Sequence, residues 1–248
     1  MRRGRLLGGA RGSRGTTLTE MLVVMLILGM VTAATVSVTI GFQRTNAQNI
    51  SRQDQIDAAR TAVERMSKTV RSAVKPSQLN CTACTGEAFV WAHDFSVQFY
   101  ADLDPTSAAV GPRLVTYTVA TSGADAGVLI EDVQVPDLLP VGPPWAYCDA
   151  KAPGASVGCK AELTTRRITA GVQAVASAPM LKYYDASGGQ LTLVAGAVPT
   201  VQLPNVFSVE LVLTVQAAGA TQALPTTYIE RVTMPNAQAL RPGQASTP

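Results

Sequence analysis

Four side-chain groups in the chain have types and spacing that could do chemistry. Cys81-Thr82-Ala83-Cys84 has the spacing of a redox pair. Thioredoxin-type centres place the first thiol at a helix amino terminus, which lowers its pKa. Here the pair follows the expected end of a helix and precedes a strand, so that activation is missing. Cys148 and Cys159 lie too far apart for common zinc spacings. Structural disulfides are therefore expected, and of the three possible pairings the local ones, Cys81–Cys84 and Cys148–Cys159, are preferred. Asp102 and Asp104 show the alternate oxygen spacing that opens a calcium loop, without the glycine and glutamate that complete one. A solvated turn is the preferred reading, with calcium as the one cofactor left open. His93 is the only histidine. It shares the parity of Phe89 and Trp91, which suits a bend residue or a buried ring better than a catalyst. Glu20 sits alone at the mouth of a long apolar stretch, where a carboxylate is costly and should have a partner or a task. Without a Gly-rich phosphate loop or a paired-carboxylate signature, the chain reads as a non-enzyme.

The elements that must carry these residues follow from composition and periodicity. The 248 residues are 47% hydrophobic but only 5% aromatic, which suits small-residue packing and β-rich structure with many turns. Five of the 20 basic side chains (Arg2, Arg3, Arg5, Arg11 and Arg14) lie before Gly15, leaving 15 against 17 acidic ones. The remainder carries no basic excess of the kind nucleic-acid binding needs, so no nucleic-acid partner is expected. From Met21 to Gln43 there is no charged residue. Such a stretch can cross a bilayer as a helix, and the arginines before it predict a cytoplasmic amino terminus with the later residues outside. An even number of cysteines fits an oxidising exterior. One long helix is expected over Leu18 to about Lys75, roughly 85 Å of rise. Its second half should bury Ile56, Ala59, Val63, Met66, Val70 and Val74, with charges on the other faces, and Pro76 should stop it.

Beyond Pro76 the period becomes two. Phe89, Trp91, Phe95, Val97 and Phe99 share one parity, as a strand or a bent hairpin. Strands are also expected at 113–119, 128–135, 209–215 and 228–234. Residues 168–175 and 180–184 form further apolar runs. Asp185 to Gly189 should turn the latter run back into Leu191–Val194 as a hairpin, and residues 136–158 should be loop.

The order of basic leader, Gly15, Thr16, Glu20 and uncharged run resembles the prepilin signal of type IV pilins and type II secretion pseudopilins. Thr16 departs from the Phe that this family prefers in the first mature position. Two shorter runs, Phe99–Asp104 and Tyr183–Leu191, resemble segments of minor pseudopilins of the J and W types. The absence of a proline in the apolar half also leans toward a minor subunit. The resemblance implies an α+β pilin fold, a long N-terminal helix laid on an antiparallel sheet. Its parts would be a leader (1–15), a transmembrane and assembly helix (16–42), an amphipathic extension (43–76), a β-rich extracytoplasmic domain (77–235) and a loose tail (236–248). It further implies cleavage between Gly15 and Thr16 by a prepilin peptidase, methylation of the new amine, and pairing of Glu20 with the terminal amine of a neighbouring subunit. The partners implied are that peptidase, other pilin or pseudopilin subunits, an inner-membrane assembly platform and membrane lipid. An ordinary signal peptide cut before Thr35 and a signal-anchored binding protein are the competing readings of the same stretch.

Overall fold

A computed structural model describes residues 17–79, 81, 84, 86–103, 111–137, 143–175, 177–216 and 224–237. Gly15, Thr16 and Asp104 lie outside these described residues. The chain divides into two units, residues 1–48 and 49–248. The fold class is α+β: one long N-terminal helix that begins apolar, and antiparallel sheets.

The helix, α1, runs Leu18–Arg71. In the first unit its side chains Leu22 to Val38 are exposed throughout, with no neighbour covering them. In the second unit it is one wall of a core. Ala59, Ala62, Val63, Met66 and Val70 are buried there, at the three-and-four spacing of a single helix face. Ile56, expected on that face, is 38% exposed, and Gln55 takes the inward place beside it. The Gln55 amide oxygen accepts a hydrogen bond from Thr226 Oγ1 at 3.2 Å, so the buried polar group is satisfied.

The helix also ends earlier than Lys75. After Arg71 the chain is captured by the sheet: Val74 N–H donates to the Tyr100 carbonyl, and Asp102 N–H donates to the Ser72 carbonyl, both at 2.9 Å. Lys75 is extended, at φ −74° and ψ 132°, as a residue preceding proline should be.

Five strands form an antiparallel meander: β1 Phe89–Ala92, β2 Ser96–Ala101, β3 Arg113–Val119, β4 Leu129–Gln134 and β5 Leu163–Thr169. Three more form a second antiparallel sheet: β6 Leu181–Tyr184, β7 Ser208–Val215 and β8 Thr226–Thr233. A short helix, α2 Val157–Ala161, precedes β5. Phe99 stands at the centre of the core, its ring 5.9 Å from Phe89 and 6.4 Å from Tyr117. Tyr183 joins the sheets: its ring meets Phe89 edge-on and its hydroxyl donates to the His93 carbonyl at 2.8 Å.

Several strand expectations change. Between Phe89 and Trp91 the β1–β2 register slips, so Trp91 lies opposite Gln98 and leaves the face that Phe89 and Phe99 share. A bulge of this kind shifts every later side chain to the other face. The apolar run at 168–175 is not a strand as such; β5 starts at Leu163 and its middle, Thr164–Arg167, is exposed on both faces. The Asp185 turn exists, with the Asp185 Oδ1 accepting from Ser187 N and Gly189 N at 2.9 and 2.8 Å. Across this turn β6 pairs back only briefly, Tyr184 bridging Gln190 and Leu191 N–H donating to the Tyr183 carbonyl at 2.8 Å, while its other edge pairs with β7 along its whole length. Gly171 makes the step from the first sheet toward the second at φ 77°; a Cβ there would lie 2.1 Å from the Gln216 carbonyl oxygen. Of the expected loose tail, Asn236 and Ala237 belong to a 3-10 turn and Ala237 is buried, while 238–248 lie outside the described residues.

Candidate functional site

The apolar length of α1 is built to do without water. Thr17 precedes its first turn, and Thr17 Oγ1 accepts the Glu20 N–H at 3.3 Å, which caps a helix end that would otherwise expose free donors. Glu20 is exposed in that first turn, where a carboxylate complements the helix dipole. Further along, the hydroxyls of Thr32, Thr35, Ser37 and Thr39 donate to carbonyls four residues back at 2.8 to 2.9 Å. No polar side chain there is left asking for solvent. By length and composition this is a helix able to cross a membrane.

The second half of α1 is fixed differently, by charge. Glu131 on β4 is 1% exposed and is gripped by Arg65 from the helix, whose Nε lies 3.1 Å from both carboxylate oxygens. Tyr117 on β3 donates to the same carboxylate at 2.6 Å. The hydrogen bond to Glu131 raises the Arg65 pKa, and burial, seconded by the Glu131 bond, pushes the Tyr117 hydroxyl well above its usual range. One turn on, Ser67 Oγ donates to Glu230 of β8 at 2.6 Å and Arg71 reaches that carboxylate at 3.3 Å. The helix is thereby bonded to both sheets. Sequence reasoning missed this seam. Its one signal was Glu131 on the inward parity of β4, opposite Tyr117.

On the second sheet, Glu210 is bonded by Arg231 at 2.9 Å and Lys182 at 3.0 Å, with Arg231 over the Tyr184 ring at 3.6 Å. Burial would raise the Glu210 pKa; the bonds from Arg231 and then Lys182 outweigh it and hold the carboxyl below the usual range.

The cysteines form two bridges, Cys81–Cys84 with Cα atoms 5.3 Å apart and Cys148–Cys159 with 6.0 Å. Cys84 lines a pocket of about 220 Å³ with Pro76, Tyr100, Trp145 and Tyr147. His93 is exposed at the β1–β2 bend, its ring 5.1 Å from Trp91, and not buried. Asp102 is partly exposed and belongs to no cluster of metal donors among the described residues. The single group close enough to be considered there, Asp137, Cys148 and Glu162, has its sulfur committed to a disulfide. Within the second unit the cysteine pairs, His93 and Asp102 do not assemble into one centre among the described residues; Glu20 belongs to the first unit.

Compared with known proteins, the chain matches no family model and no curated sequence.

Proposed function

We propose that this chain is a minor subunit of a type IV pilus or type II secretion-like filament. On this reading it is anchored in the cytoplasmic membrane with its amino terminus inside, cleaved after Gly15 and assembled through α1. The observation that carries the proposal is the division of one helix: an uncharged, fully exposed apolar length with a single carboxylate at its start, continuing into a length bonded to a disulfide-bearing β domain. An apolar length with satisfied hydroxyls is stable in lipid and equally stable against like helices, where packing rather than hydrophobic transfer drives association. Transfer from bilayer to filament core then needs no refolding of α1. Glu20 supplies the register, because a carboxylate in that setting is best placed opposite a cation, and the amine freed at Thr16 is one.

Glu20→Val tests the role of the carboxylate. The variant is expected to insert in the membrane normally and to be lost from sheared filament fractions at least about tenfold, the equivalent of ~1.4 kcal/mol. Normal incorporation would remove Glu20 from the account.

A further inference from the structure

Of the two edge strands of the first sheet, β1 has its outer edge partly taken, with Val198 N–H donating to the Ala92 carbonyl at 2.8 Å, whereas β5 has no main-chain partner on its outer edge among the described residues. Val135 N–H donates to the Glu162 carbonyl at 3.0 Å, and Glu131 and Val133 stand opposite Arg166 and Thr164. Bonded pairs alternate along an antiparallel ladder. Thr164 and Arg166 therefore turn their main-chain groups to β4, while Leu163, Thr165 and Arg167 turn theirs outward. Among the described residues nothing bonds to those outward groups. The edge strand β8 differs in its side chains, two of which, Thr226 and Glu230, are already bonded by Gln55, Ser67 and Arg71 of α1.

The edge is also basic. Residues 151–170 hold Lys151, Lys160, Arg166 and Arg167 against the single carboxylate Glu162, in a chain whose remainder after Gly15 has more acidic than basic side chains. Lys151 pairs with Asp132 and Arg167 with Asp125. Lys160 and Arg166 are exposed and have no carboxylate partner among the described residues. Charges on an open edge block pairing of like with like, because two β5 strands laid side by side would bring their arginines together. The same charges favour a strand of opposite sign.

We propose that β5 is a docking edge that accepts an extended, acidic segment of another protein as a sixth strand. Main-chain bonds at Leu163, Thr165 and Arg167 would supply the affinity, and Arg166 with Lys160 the choice of partner. This inference does not rest on the filament reading, because it concerns the second unit alone and is read out in micelles, where no filament is required.

The test uses the full chain in detergent micelles and a synthetic peptide alternating glutamate with threonine and valine. Amide hydrogen exchange is followed residue by residue by NMR. In the free chain the Thr165 and Arg167 amides should exchange fast and those of Thr164 and Arg166 slowly. Saturating peptide should slow the first pair by about tenfold or more, and raising salt from about 50 to 300 mM should weaken binding severalfold. A lysine-for-glutamate peptide should give no slowing, and Arg166→Glu with Lys160→Glu should exchange the two peptides' behaviour. Thr165 and Arg167 amides already slow in the free chain would overturn the proposal. So would absence of slowing with the acidic peptide, or equal slowing with both.

Discussion

Two stretches of the same helix, Leu18–Phe42 and Gln55–Arg71, answer opposite demands. The first exposes every large apolar side chain, with Met25 at 71% and Phe42 at 73%, and keeps its hydroxyls bonded to its own backbone. The second buries Val63 and Met66 and sends Arg65, Ser67 and Arg71 to carboxylates on two sheets. Neither stretch would serve in the other's place. An all-round apolar surface has no preferred rotation, which suits lipid and a bundle of like helices. A helix wall of a small domain must hold one rotation, and hydrogen bonds to carboxylates fixed on the strands, Glu131 and Glu230, are directional where Ala and Val contacts are not. On the proposed function the first stretch is shaped for a changing environment, while the second is held in a fixed one.

The largest effect should come from unlocking the fixed stretch. Glu131→Ala orphans the buried Tyr117 hydroxyl, empties the space of a side chain that is 1% exposed and frees Arg65 toward solvent, and is expected to cost about 3 kcal/mol in denaturant unfolding of the second unit. Arg65→Met and Tyr117→Phe combined with Glu131→Leu should recover most of that, since apolar groups then replace all three partners and orphan none. A triple variant as unstable as Glu131→Ala would mean the seam is not where the rotation is set. Next, Leu26→Arg in the changing stretch should cost about 3 kcal/mol of membrane insertion, seen as a shift from the membrane to the soluble fraction. Its second unit should unfold within ~0.5 kcal/mol of the parent, and a larger change would erase the distinction drawn between the two stretches. The smallest effect is on acid stability. The Glu210 carboxyl is held low in the fold, so its stabilisation is present above the unfolded carboxylate pKa of about 4.3 and is lost as pH falls through the lower folded value. Unfolding midpoints measured from pH 7 to 3 should fall less steeply below about pH 4 in Glu210→Gln than in the parent.

The legible parts were those written in periodicity. The apolar run, the amphipathic spacing from Ala59 to Val70 and the alternation of Val209 to Val215 each state their own structure. What escaped depends on partners distant in sequence. Thr164–Arg167 has polar groups on both faces and shows no strand period, because an edge strand has no second neighbour to demand apolar residues. Trp91 changes face through a bulge that no alternation pattern marks. The hairpin at Asp185 is bonded only as far as Gln190 and Leu191, and the pairing of the other edge of β6 with β7 joins segments too far apart in the chain for alternation to announce it. The Arg65–Glu131–Tyr117 seam joins residues 66 apart in the chain, and charge identity alone does not choose that partner among many. Gly15 and Thr16 lie outside the described residues, so the processing junction rests on its sequence order.

That junction is where the account can be tested most directly. The chain should be purified from the membranes of cells that carry an active prepilin peptidase, and its amino-terminal peptide sequenced by mass spectrometry. The account predicts a terminus at Thr16 carrying a methylated amine. A terminus at Met1 or at Thr35 in those cells would contradict it.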